Sequence, residues 1–154
     1  MNVNKHLLKL IYDYEDIAYF YHYLDDFRSN LNFQYVGSSD AALQEFLIGF
    51  NDFSYYKRIG NRGNWANRLR LALASNVDSP FAPFTADNNL NIRGVGNTID
   101  CGTGAIVFNT EYRHTLVDKK WFVLQSNVFI DGGFWRNSGG NFSDFLDNEN
   151  LRIY

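Results

Sequence analysis

Three stretches of this 154-residue chain alternate apolar and polar positions with a period of two. From Trp65 to Ser75, Trp65, Leu69, Leu71 and Leu73 fall on one side, against Ala66, Arg68, Arg70, Ala72 and Ala74. From Gly104 to Arg113, Ile106, Phe108, Thr110 and Tyr112 oppose Ala105, Val107, Asn109, Glu111 and Arg113. From Trp121 to Asp131, Phe122, Leu124, Val128 and Ile130 oppose Gln125, Asn127 and Asp131. That period belongs to extended chain, because successive side chains of a strand point to opposite faces. Two further strands are expected. Residues 31–36 read as a short one, and residues 43–56 as a longer one with the apolar Phe46, Ile48 and Phe50 on one face and Glu45 and Gly49 on the other. Residues 5–27 are ambiguous. Tyr12, Tyr14, Tyr19, Tyr21 and Tyr23 alternate in part, while Ile17, Phe20 and Leu24 also suit a helix face. Residues 1–30 are therefore kept as a separate aromatic-rich segment, and residues 31–154 as one β-domain.

Alternation does not say which face meets water. A soluble sandwich turns its apolar face inward. A transmembrane barrel turns it outward to lipid and lines its lumen with the polar one. Strand length favours the barrel: soluble strands usually run about 5–6 residues, and spanning strands about 9–11. The connections agree. Lys57 to Asn64 is short, Asn76 to Thr103 long, His114 to Lys120 short, and Gly133 to Asn150 long. Outer-membrane barrels alternate short turns with long loops in this way, although the link from Gly37 to Ala42 is shorter than the rule asks. Trp65, Tyr112, Trp121 and Trp135 near strand ends suit interfacial girdles. The expected fold is an antiparallel transmembrane β-barrel segment of five or six strands, an incomplete barrel.

Composition sharpens this picture in places. Aromatic residues make up 18% of the chain, which suits half-buried sheet surfaces. A formal net charge of -3 supplies no polyanion-binding surface, so nucleic acid is not an expected partner. The one cysteine, Cys101, forms no internal disulfide framework. No stretch approaches the roughly 20 apolar residues of a membrane helix. Met1 to Leu10 lacks the apolar core and small-residue cleavage site of a signal peptide. Asn150 to Tyr154 looks like the start of a strand, and the chain is expected to be a piece of a longer protein.

Two short motifs point further. Asn91 to Gly96 (Asn-Ile-Arg-Gly-Val-Gly) sits in the long loop, and Phe129-Ile-Asp-Gly-Gly133 lies at the end of the Trp121 strand. In this order and spacing they resemble the barrel of the bacterial surface antigen superfamily, the BamA/TamA-like proteins of outer-membrane assembly and translocation. Ile92, Arg93 and Gly94 match the family's loop motif, with Val95 where an aromatic is usual. Phe129, Asp131 and Gly133 match its strand motif, and Glu111 with Arg113 matches a third. The resemblance covers about residues 43–154. It implies a bacterial outer-membrane location and no cofactor. It also implies insertion or translocation of client proteins without catalysis, and dependence on lipid and on the remaining barrel strands.

Physical chemistry agrees with that pattern. A guanidinium inside a lumen is costly unless paired. Asp131 and Glu111 both fall on the lumenal parity of their strands. An Arg93–Asp131 fork would pin loop 76–103 to the wall by parallel charge-assisted bonds. Gly94 would allow a sharp turn there, and Gly132 and Gly133 would let the strand end against close backbone.

Other constellations carry less. His6, His22 and His114 lack metal-ligand spacing. Gly60 to Gly63 is a turn, not a phosphate loop, and no serine sits in a nucleophile elbow. Asp131 and Glu111 as a glycosidase pair rest on shared parity alone. A soluble or small-barrel protein binding a ligand through its aromatic residues is the alternative.

Overall fold

The computed structural model describes residues 5–39, 45–75, 84–86, 92–93 and 100–153. The chain is all-β. In order it forms β1 (Lys5–Phe20), β2 (Tyr23–Ser38), β3 (Phe46–Ile59), β4 (Gly63–Ala74), β5 (Phe84–Ala86), β6 (Asp100–Gly102), β7 (Gly104–Lys119), β8 (Phe122–Arg136) and β9 (Leu151–Ile153). Short 3₁₀ turns occupy Phe142–Leu146 and Asn148–Asn150. Seven strands make one sheet in the order β1-β2-β3-β4-β7-β8-β9, and β5 pairs with β6 apart from it. Every neighbouring pair is antiparallel. The sheet stays open, with β1 and β9 at its edges, so it is not a closed barrel.

The expected five or six strands thus become seven in the sheet. The difference comes from both ends of the chain. The ambiguous N-terminal residues form β1 and the start of β2, because their alternation finds a partner. Leu8, Leu10 and Tyr12 lie opposite Tyr35, Phe33 and Leu31, and such aliphatic–aromatic cross-strand pairs stabilise a ladder. The helical spacing of Ile17, Phe20 and Leu24 is cut by the turn at Tyr21–His22, where Tyr21 takes φ 55°. The expected short strand at 31–36 is the middle of β2, which runs 16 residues and crosses residue 30. The sheet is continuous from Lys5.

Register sorts the side chains into two faces. One carries Leu8, Leu10, Leu31, Phe33, Phe53, Leu69, Leu71, Phe108, Val128 and Ile130 and is nearly all apolar. Most of these residues are exposed; Val128 is 71% open and Leu8 67%. The other carries Arg28, Asp52, Arg68, Arg70, Glu111, Arg113 and Asp131. The apolar parity read for residues 43–56 is reversed. Ile48 and Phe50 pair with Ala74 and Ala72 on the polar face, and Leu47, Phe53 and Tyr55 take the apolar one. The reason is Asp52, which must meet Arg68 and Arg70 and so sets the parity of the whole strand. Phe50 remains useful there, its ring 5.9 Å from the Arg70 guanidinium carbon.

Three tight turns lie at one end of the sheet: 21–22, 60–62 and 120–121. The long connections 75–103 and 137–150 lie at the other. At the short-turn end the sheet curls over its polar face. The Tyr23 hydroxyl on β2 donates to Thr115 Oγ1 on β7 at 2.8 Å, although β3 and β4 lie between them. The β-bulge between Thr115 and Val117 ends the inward parity of β7 at that residue.

Candidate functional site

On the polar face of β7 and β8 a long connection is clamped to the sheet by charge. Asp131 stands on β8 opposite Asn109, and Glu111 on β7 opposite Phe129. Strand alternation brings both carboxylates to the same face and leaves Phe129 on it too. Above them sits Arg93. Its Nε donates to Asp131 Oδ2 at 2.7 Å, its Nη2 to Oδ1 at 2.9 Å, and its backbone N–H to Oδ2 at 2.9 Å. Its Nη1 donates to Glu111 Oε2. The guanidinium carbon lies 3.9 Å from the centre of the Phe129 ring, well within cation–π range.

Each carboxylate has further donors. Asn109 hydrogen-bonds Asp131 through its side chain. Arg113 Nε donates to Glu111 Oε1 at 2.5 Å, and Asn127 Nδ2 to the same oxygen at 3.5 Å. Asp131 is fully buried, and the Arg93 side chain keeps 37% of its surface open. A buried carboxylate demands this many partners, since an unpaired one is costly. Hydrogen bonding to Asp131 first, and to Glu111 after it, raises the Arg93 pKa and keeps the group a cation.

Packing adds a neutral anchor beside the ionic one. Ile92 is fully buried against Val107, itself 1% exposed. Gly133 makes the room: a Cβ there would lie 2.5 Å from Ile92 Cδ1. The glycine is needed for a side chain, not for the close backbone expected at the end of a strand. Indeed β8 continues through Gly132 and Gly133 to Arg136. A Cβ at Gly132 would make only ordinary contact, 3.5 Å from the Arg152 carbonyl oxygen.

Of the residues singled out in the sequence, Ile92, Arg93, Glu111, Arg113, Phe129, Asp131 and Gly133 come together here. Arg113 reaches the cluster through Glu111 rather than through Arg93. Gly94 and Val95 lie outside the described residues. In the sequence Asn109, Val107 and Asn127 read only as members of their strand faces, although they share the parity of the carboxylates. Among the expected girdle aromatics, Trp65 and Tyr112 face each other on the apolar side, and Trp121 is 87% exposed in its turn. Trp135 departs from that role. It is buried on the polar face, with the Arg152 guanidinium 4.9 Å from its ring. Odd numbering on β8 decides this, since it shares parity with Asp131 and Gly133.

No family model matches the sequence, and neither the curated proteins nor the solved structures return a match.

Proposed function

We propose that this chain is part of an outer-membrane β-barrel that inserts or translocates proteins across the bacterial outer membrane, in the manner of the BamA/TamA-like group. One observation carries the reading. Arg93, from the long connection, is clamped by Asp131 and Glu111 on the polar face of a sheet whose opposite face is apolar along its main strands. In a barrel that polar face lines the lumen and the apolar face meets hydrocarbon. Strands of 12–16 residues suffice to cross it at a tilt. The open edges at β1 and β9 would take up the remaining strands of the parent barrel, because lipid does not tolerate unpaired backbone groups. The clamp then holds loop 76–103 inside the lumen in the working state. The function needs no cofactor and no bond-making chemistry.

The test is charge reversal in the parent barrel. Arg93→Asp and Asp131→Arg are each expected to lower the yield of heat-modifiable, folded client barrels in outer membranes. Wild-type yield from both single variants would refute the role given to the clamp.

A groove of about 400 Å³ favours a second reading, that of a soluble β-protein holding an apolar ligand. Leu31, Gly49, Leu71, Leu73, Ile106 and Phe145 line it on the apolar face. That reading predicts a detergent-free, monodisperse protein that binds a fluorescent fatty acid and loses the binding on Gly49→Phe. Recovery of the protein only in detergent or lipid rejects it.

A further inference from the structure

We infer that the short-turn rim is a docking surface for anionic phospholipid headgroups. This rests on the reading above, in which the strands cross a bilayer. Separate connections converge there. Thr115 is the node: its backbone N–H donates to the Arg62 carbonyl at 2.8 Å, and its hydroxyl oxygen takes the Tyr23 hydroxyl proton. Gln125 Nε2 donates to the same oxygen at 3.1 Å. Asn64, 1% exposed, donates to the Leu24 carbonyl at 2.6 Å and ties β2 to β4. These bonds gather the turns at 21–22, 60–62 and 120–121 into one rim.

The rim is charged on one side of the balance. Arg62, Lys119 and Lys120 are exposed and form no ion pair among the described residues. Of the other cations at this end, Lys57 is neutralised by Asp25 at 3.2 Å. Arg58 is stacked on Phe20 and Tyr23, with ring centres at 5.5 and 5.3 Å. Asp118, next to Lys119, and Asp26, near Lys57, are exposed carboxylates at this end, and the three unpaired cations together with Arg58 still leave the rim net positive. Beside them stand Trp121, 87% exposed, and Tyr21, fully exposed. Amphipathic rings favour the headgroup zone, and each cation near an anionic surface contributes about 1 kcal/mol, roughly fivefold in partitioning. The long-loop end is mixed: Glu45, Asp144, Asp147 and Glu149 stand there with Lys5, Arg136 and Arg152. Anionic lipid is therefore matched to the short-turn rim, where the unpaired cations are gathered, better than to the opposite end.

The experiment refolds the 154-residue chain with vesicles of phosphatidylcholine alone and with vesicles containing about 30% phosphatidylglycerol. Co-sedimentation at low salt measures the partitioning. Wild type should prefer the anionic vesicles, and raised salt should erase the preference. The triple variant R62E/K119E/K120E, which turns attraction into repulsion, should lose more than about a hundredfold of partitioning into anionic vesicles only. R62Q/K119Q/K120Q removes the charge without adding repulsion and should show a smaller loss of the same sign. Equal partitioning of wild type and both variants into the two vesicle types overturns the rim proposal and leaves the membrane reading standing. Failure to associate with either vesicle type overturns the rim proposal, and a chain that stays monodisperse without lipid or detergent overturns the membrane reading as well.

Discussion

Two anchors bridge the polar face of this sheet, and they are built differently. At the long-loop end the anchor is ionic: Arg93 on Asp131 and Glu111. At the short-turn end it is neutral: Tyr23 and Gln125 on Thr115. The neutral node joins turns whose positions the strands already dictate, so ordinary hydrogen bonds are enough. The ionic clamp must hold a segment that arrives through a long connection. Ordering such a segment costs conformational entropy, and several charge-assisted bonds to one fully buried carboxylate offset it. The comparison teaches that anchor strength follows the freedom of what is anchored.

The largest expected effect comes from Asp131→Ala, which removes three of the hydrogen bonds of Arg93 and leaves it Glu111 as its remaining carboxylate. A loss of about 2–3 kcal/mol is expected, below the figure for a fully buried pair because the arginine is part-exposed. The denaturant midpoint and the rate of proteolysis within 76–103 would report it. An unchanged proteolysis rate would show that the clamp does not hold the loop. Gly133→Val should act nearly as strongly by expelling Ile92, and it should loosen the same loop while Arg93 and Asp131 remain intact.

The charge swap Arg93→Asp with Asp131→Arg sharpens the picture further. Rescue should be partial, because the new carboxylate would face Glu111. Adding Glu111→Gln to the swap should improve it, and full rescue by the swap alone would argue that Glu111 is a spectator. At the other anchor, Thr115→Val removes one acceptor shared by two donors and should cost about 1–2 kcal/mol. Its loss should appear as faster hydrogen exchange at the short-turn end with loop proteolysis unchanged. Smallest of all, raising salt from 0.05 to about 0.5 M should weaken the part-exposed ionic clamp by a few tenths of a kcal/mol and leave the Thr115 node untouched.

Much of the candidate site was legible before any coordinates. Parity placed Asp131 and Glu111 on one face, and strand pairing then made them near neighbours. The Arg93–Asp131 fork was legible through the resemblance carried by the two motifs, since a carboxylate on the polar face needs a cation and the loop motif supplies one. The register of β3 was harder to read. Ile48 and Phe50 look like a core stripe, and only the pull of Arg68 and Arg70 on Asp52 turned that stripe to the polar side. Trp135 was misplaced for a related reason: Gly132 and Gly133 suggested a strand end, yet the strand ran on and carried the tryptophan to the inner face.

The sequence by itself determined the β-character, the two faces of β4, β7 and β8, and the order of short and long connections at their ends. These follow from local chemistry: a period of two is written residue by residue and needs no partner to be read. Tertiary structure decided the rest. It paired β1 with β2, seated Ile92 over Gly133, and drew Tyr23 across two strands to Thr115. The last two join residues far apart in the chain, and such contacts are selected by the shape and charge of the assembled sheet, which no single segment contains.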